Sequence, residues 1–70
     1  MSSHRYVFRV AGLLSERTRA AFPGMKVVDA PPETIITGEV LDESHLHGVL
    51  GMIQSLGLRV VSMQEVPRGD

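Results

Sequence analysis

Not one cysteine occurs in this chain of 70 residues. That absence removes disulfides, thiolate metal cages and thiol nucleophiles together. Tryptophan is missing too, and one tyrosine and two phenylalanines are the whole aromatic complement. A base-stacking surface would have almost nothing to be built from. No apolar run approaches the length that spans a bilayer. The start, Met1-Ser2-Ser3-His4-Arg5, leads into an alternating segment and not into the apolar stretch of a signal peptide, so the expected compartment is the cytoplasm. Neither sign of charge dominates: the net charge is −1, which removes the electrostatic reason to expect nucleic acid or an anionic membrane as partner. A domain this short hides only about 60% of the surface its unfolded chain exposes. Without cysteines or a metal to staple it, stability is expected to come partly from association with another subunit.

What is present is a pattern written twice. Pro23-Gly24-Met25-Lys26-Val27-Val28 recurs 33 residues later as Leu56-Gly57-Leu58-Arg59-Val60-Val61. Each copy closes a helix-like segment with a glycine and opens a strand whose second residue is basic. Arg5 to Val10 alternates, with Tyr6, Phe8 and Val10 on one face. Ser15 caps a helix expected to run to Phe22, where Pro23 stops it. Met25 to Asp29 reads as the second strand and Ala30-Pro31-Pro32-Glu33 as a turn. Thr34 to Val40 is the third strand, where Gly38 marks either a bulge or a close approach by the helix above. Asp42 caps the longest helix, whose stripe Leu46, Val49, Leu50, Ile53 and Leu56 has helical spacing. Gly57 ends it in a left-handed cap, and Leu58 to Val66 is the fourth strand.

Strand, helix, strand, twice over, predicts an α+β fold: a ferredoxin-like βαββαβ sandwich, with a four-stranded antiparallel sheet and two helices on one face. Residues 1–66 form the single domain and 67–70 a C-terminal tail. The expected core is Tyr6, Phe8, Val10, Leu14, Phe22, Met25, Val27, Ile36, Val40, Leu46, Val49, Leu50, Ile53, Leu56, Leu58 and Val60.

Such a sheet leaves one face without helices. Its expected residues include Val7, Arg9, Val28, Ile35, Thr37, Arg59, Val61 and Met63, with Arg5, Lys26, Glu39 and Glu65 beside them. A solvated face carries polar residues throughout. This one mixes apolar and charged groups, as a sheet that meets another sheet does. The alternative is an exposed face with scattered surface hydrophobes. A second unusual surface is the outer side of the second helix, where Ser44, Gly48, Gly51 and Ser55 line one stripe. Each interior glycine costs about 1 kcal/mol against alanine, which points either to a close-lying partner or ligand or to an untuned exposed helix.

Chemistry-bearing groups are sparse. His45 and His47 stand two apart, on nearly opposite sides of a helix, whereas helical zinc pairs use a spacing of four. No metal or cofactor is expected, and His47 beside Gly48 is left as a hydrogen-bonding group for a ligand or partner. The carboxylates are scattered over helix starts, turns and strand exteriors, and no serine sits in a recognisable elbow. Arg68-Gly69-Asp70 spells an integrin-binding tripeptide, but it is terminal and follows no export signal.

Tyr6-Val7-Phe8-Arg9-Val10-Ala11-Gly12, then Leu14-Ser15-Glu16, Ala21-Phe22-Pro23-Gly24 and Leu46-His47-Gly48-Val49-Leu50, resembles a family of short bacterial proteins with no assigned activity. The likeness covers nearly the whole chain and implies no biochemical role. In topology the chain is also similar to the ACT group of regulatory domains, which pair through sheets or helices and bind amino acids near the first strand–helix turn. That turn is Ala11-Gly12-Leu13-Leu14 in this chain, with Ala11 where the group carries an acidic residue. The leading expectation is a non-catalytic interaction or regulatory module, a homodimer through its open sheet face. The alternatives are a small-ligand sensor using Gly12, His47, Gly48 and Gly51, and a small enzyme or an accessory subunit of one.

Overall fold

The computed structural model describes residues 4–67; the expected tail beyond Pro67 lies outside them. The elements are β1 (His4–Ala11), α1 (Glu16–Arg19), β2 (Lys26–Ala30), β3 (Glu33–Val40), α2 (Glu43–Ser55) and β4 (Val60–Val66). The protein is α+β, with one four-stranded antiparallel sheet in the order β2-β3-β1-β4. β1 and β3 are central, and each lies beside an edge strand.

Local chemistry sets most of these boundaries. Ser15 Oγ accepts the Thr18 amide at 3.2 Å and starts α1. Only one turn follows, not the run to Phe22 that the sequence predicts. The amides of Ala21 and Phe22 donate to the carbonyls of Thr18 and Arg19, three residues back, so the chain tightens before Pro23 excludes helical geometry. That tightening turns Phe22 into the interior. α1 itself buries nothing. Its Arg19 instead ties it to the sheet edge, donating to the Val27 carbonyl at 3.2 Å and pairing with Asp29.

α2 has stronger ends. Asp42 Oδ1 accepts the His45 amide at 2.8 Å, and His45 Nδ1 accepts the Leu41 amide at 2.9 Å, so two otherwise unpartnered donors are satisfied reciprocally. At the other end Gly57 has φ +77. The Leu58 amide reaches the Ile53 carbonyl and the Gly57 amide reaches that of Gln54, which is the double bond pattern of a Schellman cap.

The interior lies between α2 and one sheet face. Phe8, Val10, Leu14, Phe22, Ile36, Val49 and Ile53 form the buried cluster, with Tyr6, Met25, Val27, Leu46, Leu50, Leu58 and Val60 packed around it. Leu56, expected inside, is exposed, because the helix ends there. Thr34, absent from the expected core, is fully buried and donates its hydroxyl to the Gly12 carbonyl at 2.7 Å. This bond joins the β1–α1 turn to the β2–β3 hairpin. Gly38 is not a bulge, since β3 runs in unbroken register with both neighbours, and the side chain closest to it is Met25, at the entrance to β2, in place of the expected helix. A Cβ there would lie 2.7 Å from Cγ of Met25.

Candidate functional site

The face opposite the helices follows directly from the pairing register. Residues directly opposite each other share a face. Val7 pairs with Thr37, and Arg9 with Ile35, while Val28 lies beyond Ile35 and Lys26 beyond Thr37. On the other side Arg5, Val7 and Arg9 pair with Val66, Gln64 and Ser62. The open face is therefore Val7, Val28, Ile35 and Val66 set among Thr37, Ser62 and Gln64. Ion pairs stand at both ends of it, Arg5–Glu39 at 3.1 Å and Arg9–Glu33 at 3.5 Å. Solvent reaches all four side chains, so within one chain these pairs add little stability.

The β4 assignment needs correction. The register between β1 and β4 shifts between Arg9 and Val10, where Val60 pairs with Val10 and Ser62 with Arg9. Val61 is the extra residue of this bulge and is 44% exposed. One added residue reverses the alternation beyond it. Met63 consequently pairs with Phe8, and Glu65 with Tyr6, which puts both on the helix side of the edge strand and not on the open face. Ser62, Gln64 and Val66 take the places expected for them. Arg59 precedes the strand, its carbonyl accepting the Ala11 amide at 2.9 Å.

Two depressions lie on the helix side. One, of about 220 Å³, is lined by His4, Tyr6, Val40, Leu41, Asp42, Glu43, Leu46 and Glu65. Three of the ionisable groups there are engaged, Asp42 as the cap of α2 and His4 with Glu65 through Nδ1. The other, of about 180 Å³, is a groove between the chain after α1 and the flank of α2. Ala21, Phe22, Pro23, Met25, Val49 and Met52 supply its apolar walls, with His45 and Gly48 on the helix. The His45 nitrogen that accepts from Leu41 carries no proton, so any donor from this ring is Nε2.

The ligand residues expected from the sequence are not gathered in one place. Gly48 lines the groove, but His47 does not, and His45 occupies that position instead. Gly12 lines neither depression; its amide donates to the Pro32 carbonyl at 2.8 Å and its carbonyl accepts from Thr34. A Cβ on Gly48 or Gly51 would meet no atom within 4 Å. Alanine at each is therefore expected to stabilise the isolated chain by about 1 kcal/mol. Thermal melts of the two single variants check this, and a lowered melting temperature contradicts it. Among the described residues no three His, Asp or Glu side chains cluster closely enough to hold a metal ion, and no helix is long and apolar enough to cross a membrane.

Residues 5–64 match the family model described as Domain of unknown function (DUF8691). The chain belongs to this family. No curated protein and no solved structure matches it. The matched DUF8691 segment contains all of β2, β3 and α2, together with Arg5, Arg9, Glu33 and Glu39.

Proposed function

We propose that this DUF8691 chain is a ferredoxin-like, non-catalytic association module whose working unit is a homodimer joined through the open sheet face. The observation that carries the reading is the content of that face. Four apolar side chains lie on it, Val7 and Ile35 on the central strands and Val28 and Val66 on the two edges, and two Arg–Glu pairs bracket Val7 and Thr37. A face in permanent contact with water normally carries polar residues throughout, and this one has valine and isoleucine at its centre. Association would also supply burial that a chain of 70 residues lacks. Size-exclusion chromatography with light scattering over a wide concentration range tests it. The expected mass is twice that of one chain, and Val7→Asp is expected to weaken association about tenfold or more while the circular dichroism stays native. A chain that remains monomeric at millimolar concentration overturns the reading.

One observation favours a second reading, a small-ligand sensor. The groove beside Gly48 has two methionines, which adapt to irregular shapes, and one histidine as its polar group. A thermal-shift screen with amino acids and small metabolites is the test. A ligand that raises the melting temperature of the wild type, but not of Gly48→Leu, supports this reading; no shift from any of them rejects it.

A further inference from the structure

From the pairing register we infer how two copies lie on one another: the two-fold axis runs parallel to the strands, between β1 and β3, and seats β1 of each copy on β3 of the other. This rests on the homodimer reading and adds its register.

Rotation about such an axis keeps each residue's height along the strand and exchanges β1 for β3. Every β1 residue then faces, in the second copy, the residue it pairs with inside its own chain. Arg5 lies over Glu39 of the second copy, because Arg5 and Glu39 are paired in one sheet. Val7 lies over Thr37, and Arg9 over Ile35 with Glu33 diagonally next to it. Each intrachain Arg–Glu pair thereby meets another of opposite order, and the four charges alternate in sign. Val7, Ile35 and Thr37 from both copies surround the axis.

The competing arrangement places the axis across the strands. It reverses height and keeps β1 on β1, so with Val7 at the centre Arg5 of one copy lies over Arg9 of the other. Glu39 then lies over Ile35 of the other copy, with that copy's Glu33 diagonally next to it. Like charges face like at both ends, and such juxtaposition is what interfaces select against. Sheets packed face to face also keep their strands within about 30° of alignment. Arg5 and Arg9 stand only about 7 Å on either side of Val7, so a twist of that size displaces them by a few ångströms. That is within the reach of an arginine side chain.

The test separates contacts made within a chain from contacts made between chains. One variant carries Arg5→Glu and Arg9→Glu, which leaves its face with glutamates alone at the four positions. The other carries Glu33→Arg and Glu39→Arg, which leaves arginines alone. Each alone is expected to self-associate about a hundredfold more weakly than wild type. Mixed in equal amounts, they are expected to form a one-to-one heterodimer by native mass spectrometry and light scattering. Neither chain regains an internal ion pair on mixing, so a heterodimer shows that these charges are opposed across the interface. Arg5→Glu alone separates the two axes. In the inferred register it sets the new carboxylate against Glu39 of the second copy, where weaker self-association is expected. In the competing one it meets Arg9, so tighter self-association overturns the register. If wild type dimerises but the mixture stays monomeric, this register is wrong and the homodimer reading stands. If wild type is itself monomeric, both fall. Circular dichroism verifies folding, and if the doubly reversed chains do not fold, Arg5→Glu with Glu39→Arg in separate chains makes the same comparison.

Discussion

Phe8→Ala is expected to leave most of the protein unfolded at room temperature. Phe8 sits at the middle of the central strand β1, fully buried, paired with Ile36 on one side and Met63 on the other. Its ring lies 6.0 Å from that of Tyr6, with 23° between the planes. Removing a buried phenyl group costs about 3–5 kcal/mol, part from lost transfer free energy and part from the cavity left behind. The surroundings cannot readily close over that cavity, because strand ladders hold the flanking residues on both sides. A chain of 70 residues commands roughly 4–10 kcal/mol in all, and a thin-cored one sits near the bottom of that range. Urea titration followed by circular dichroism gives the comparison. A midpoint within experimental error of wild type would show that Phe8 does not anchor the interior. The substitution leaves the open face unchanged, because Phe8 points to the other side of the sheet.

The elements were legible where a residue and its immediate neighbours decide the outcome. Ser15, Asp42 and Gly57 act through hydrogen bonds to backbone groups only a few residues away, and each marks its helix end in the sequence as well. Alternation in β1 and β3 was equally readable, since Phe8 and Val10, with Ile36 and Val40, are all buried. The misreadings came from contacts with distant segments. α1 stops after Arg19 although Ala20, Ala21 and Phe22 suit a helix, because Phe22 reaches the core only if the chain tightens. The bulge at Val61 depends on how β4 meets β1, and adjacent valines at 60 and 61 allow either phase. One local signal did exist. Ser62 and Gln64 are polar and Met63 is not, which fits an open face bearing the first two. Thr34 shares the phase of Ile36 and Val40, but a hydroxyl is stable inside only with a partner, and that partner is the carbonyl of Gly12, distant in sequence.

This division bears on how the candidate site is built. The open face draws on all four strands, so its composition is fixed by registers and not by any motif. The bulge replaces Met63 and Glu65 with Ser62 and Gln64, leaving the β4 side of the face uncharged, with Val66 beside these two polar residues. The charges that remain are concentrated on β1 and β3, with Lys26 on β2. In the proposed dimer, packing β1 on β3 would set charge against charge at the two ends of the central strands, while β4 and β2 would meet through serine, glutamine, valine and lysine. Orientation would then depend on the two arginines and two glutamates.

Gly38→Ala is expected to destabilise the chain by about 1–3 kcal/mol, the usual cost of forcing an extra group into a packed interior. A methyl group is normally favourable in a strand, where glycine loses about 0.5–1 kcal/mol against alanine. At this position the added carbon would stand 2.7 Å from Cγ of Met25, 2.9 Å from Cε and 3.1 Å from Cβ. The terminal methyl can swing away, but clearing Cγ needs another χ1 rotamer, and Cβ moves only with the backbone at the entrance to β2. Met25 also walls the groove beside Gly48, so its displacement would deform that surface too. A double-mutant cycle isolates the contact. In a Met25→Ala background the clash is gone, and Gly38→Ala is expected to be neutral or stabilising. Urea midpoints for the four proteins give the coupling directly. Should Gly38→Ala raise the stability of the otherwise wild-type chain, the close packing of Met25 against β3 is wrong, and glycine at 38 has some other cause.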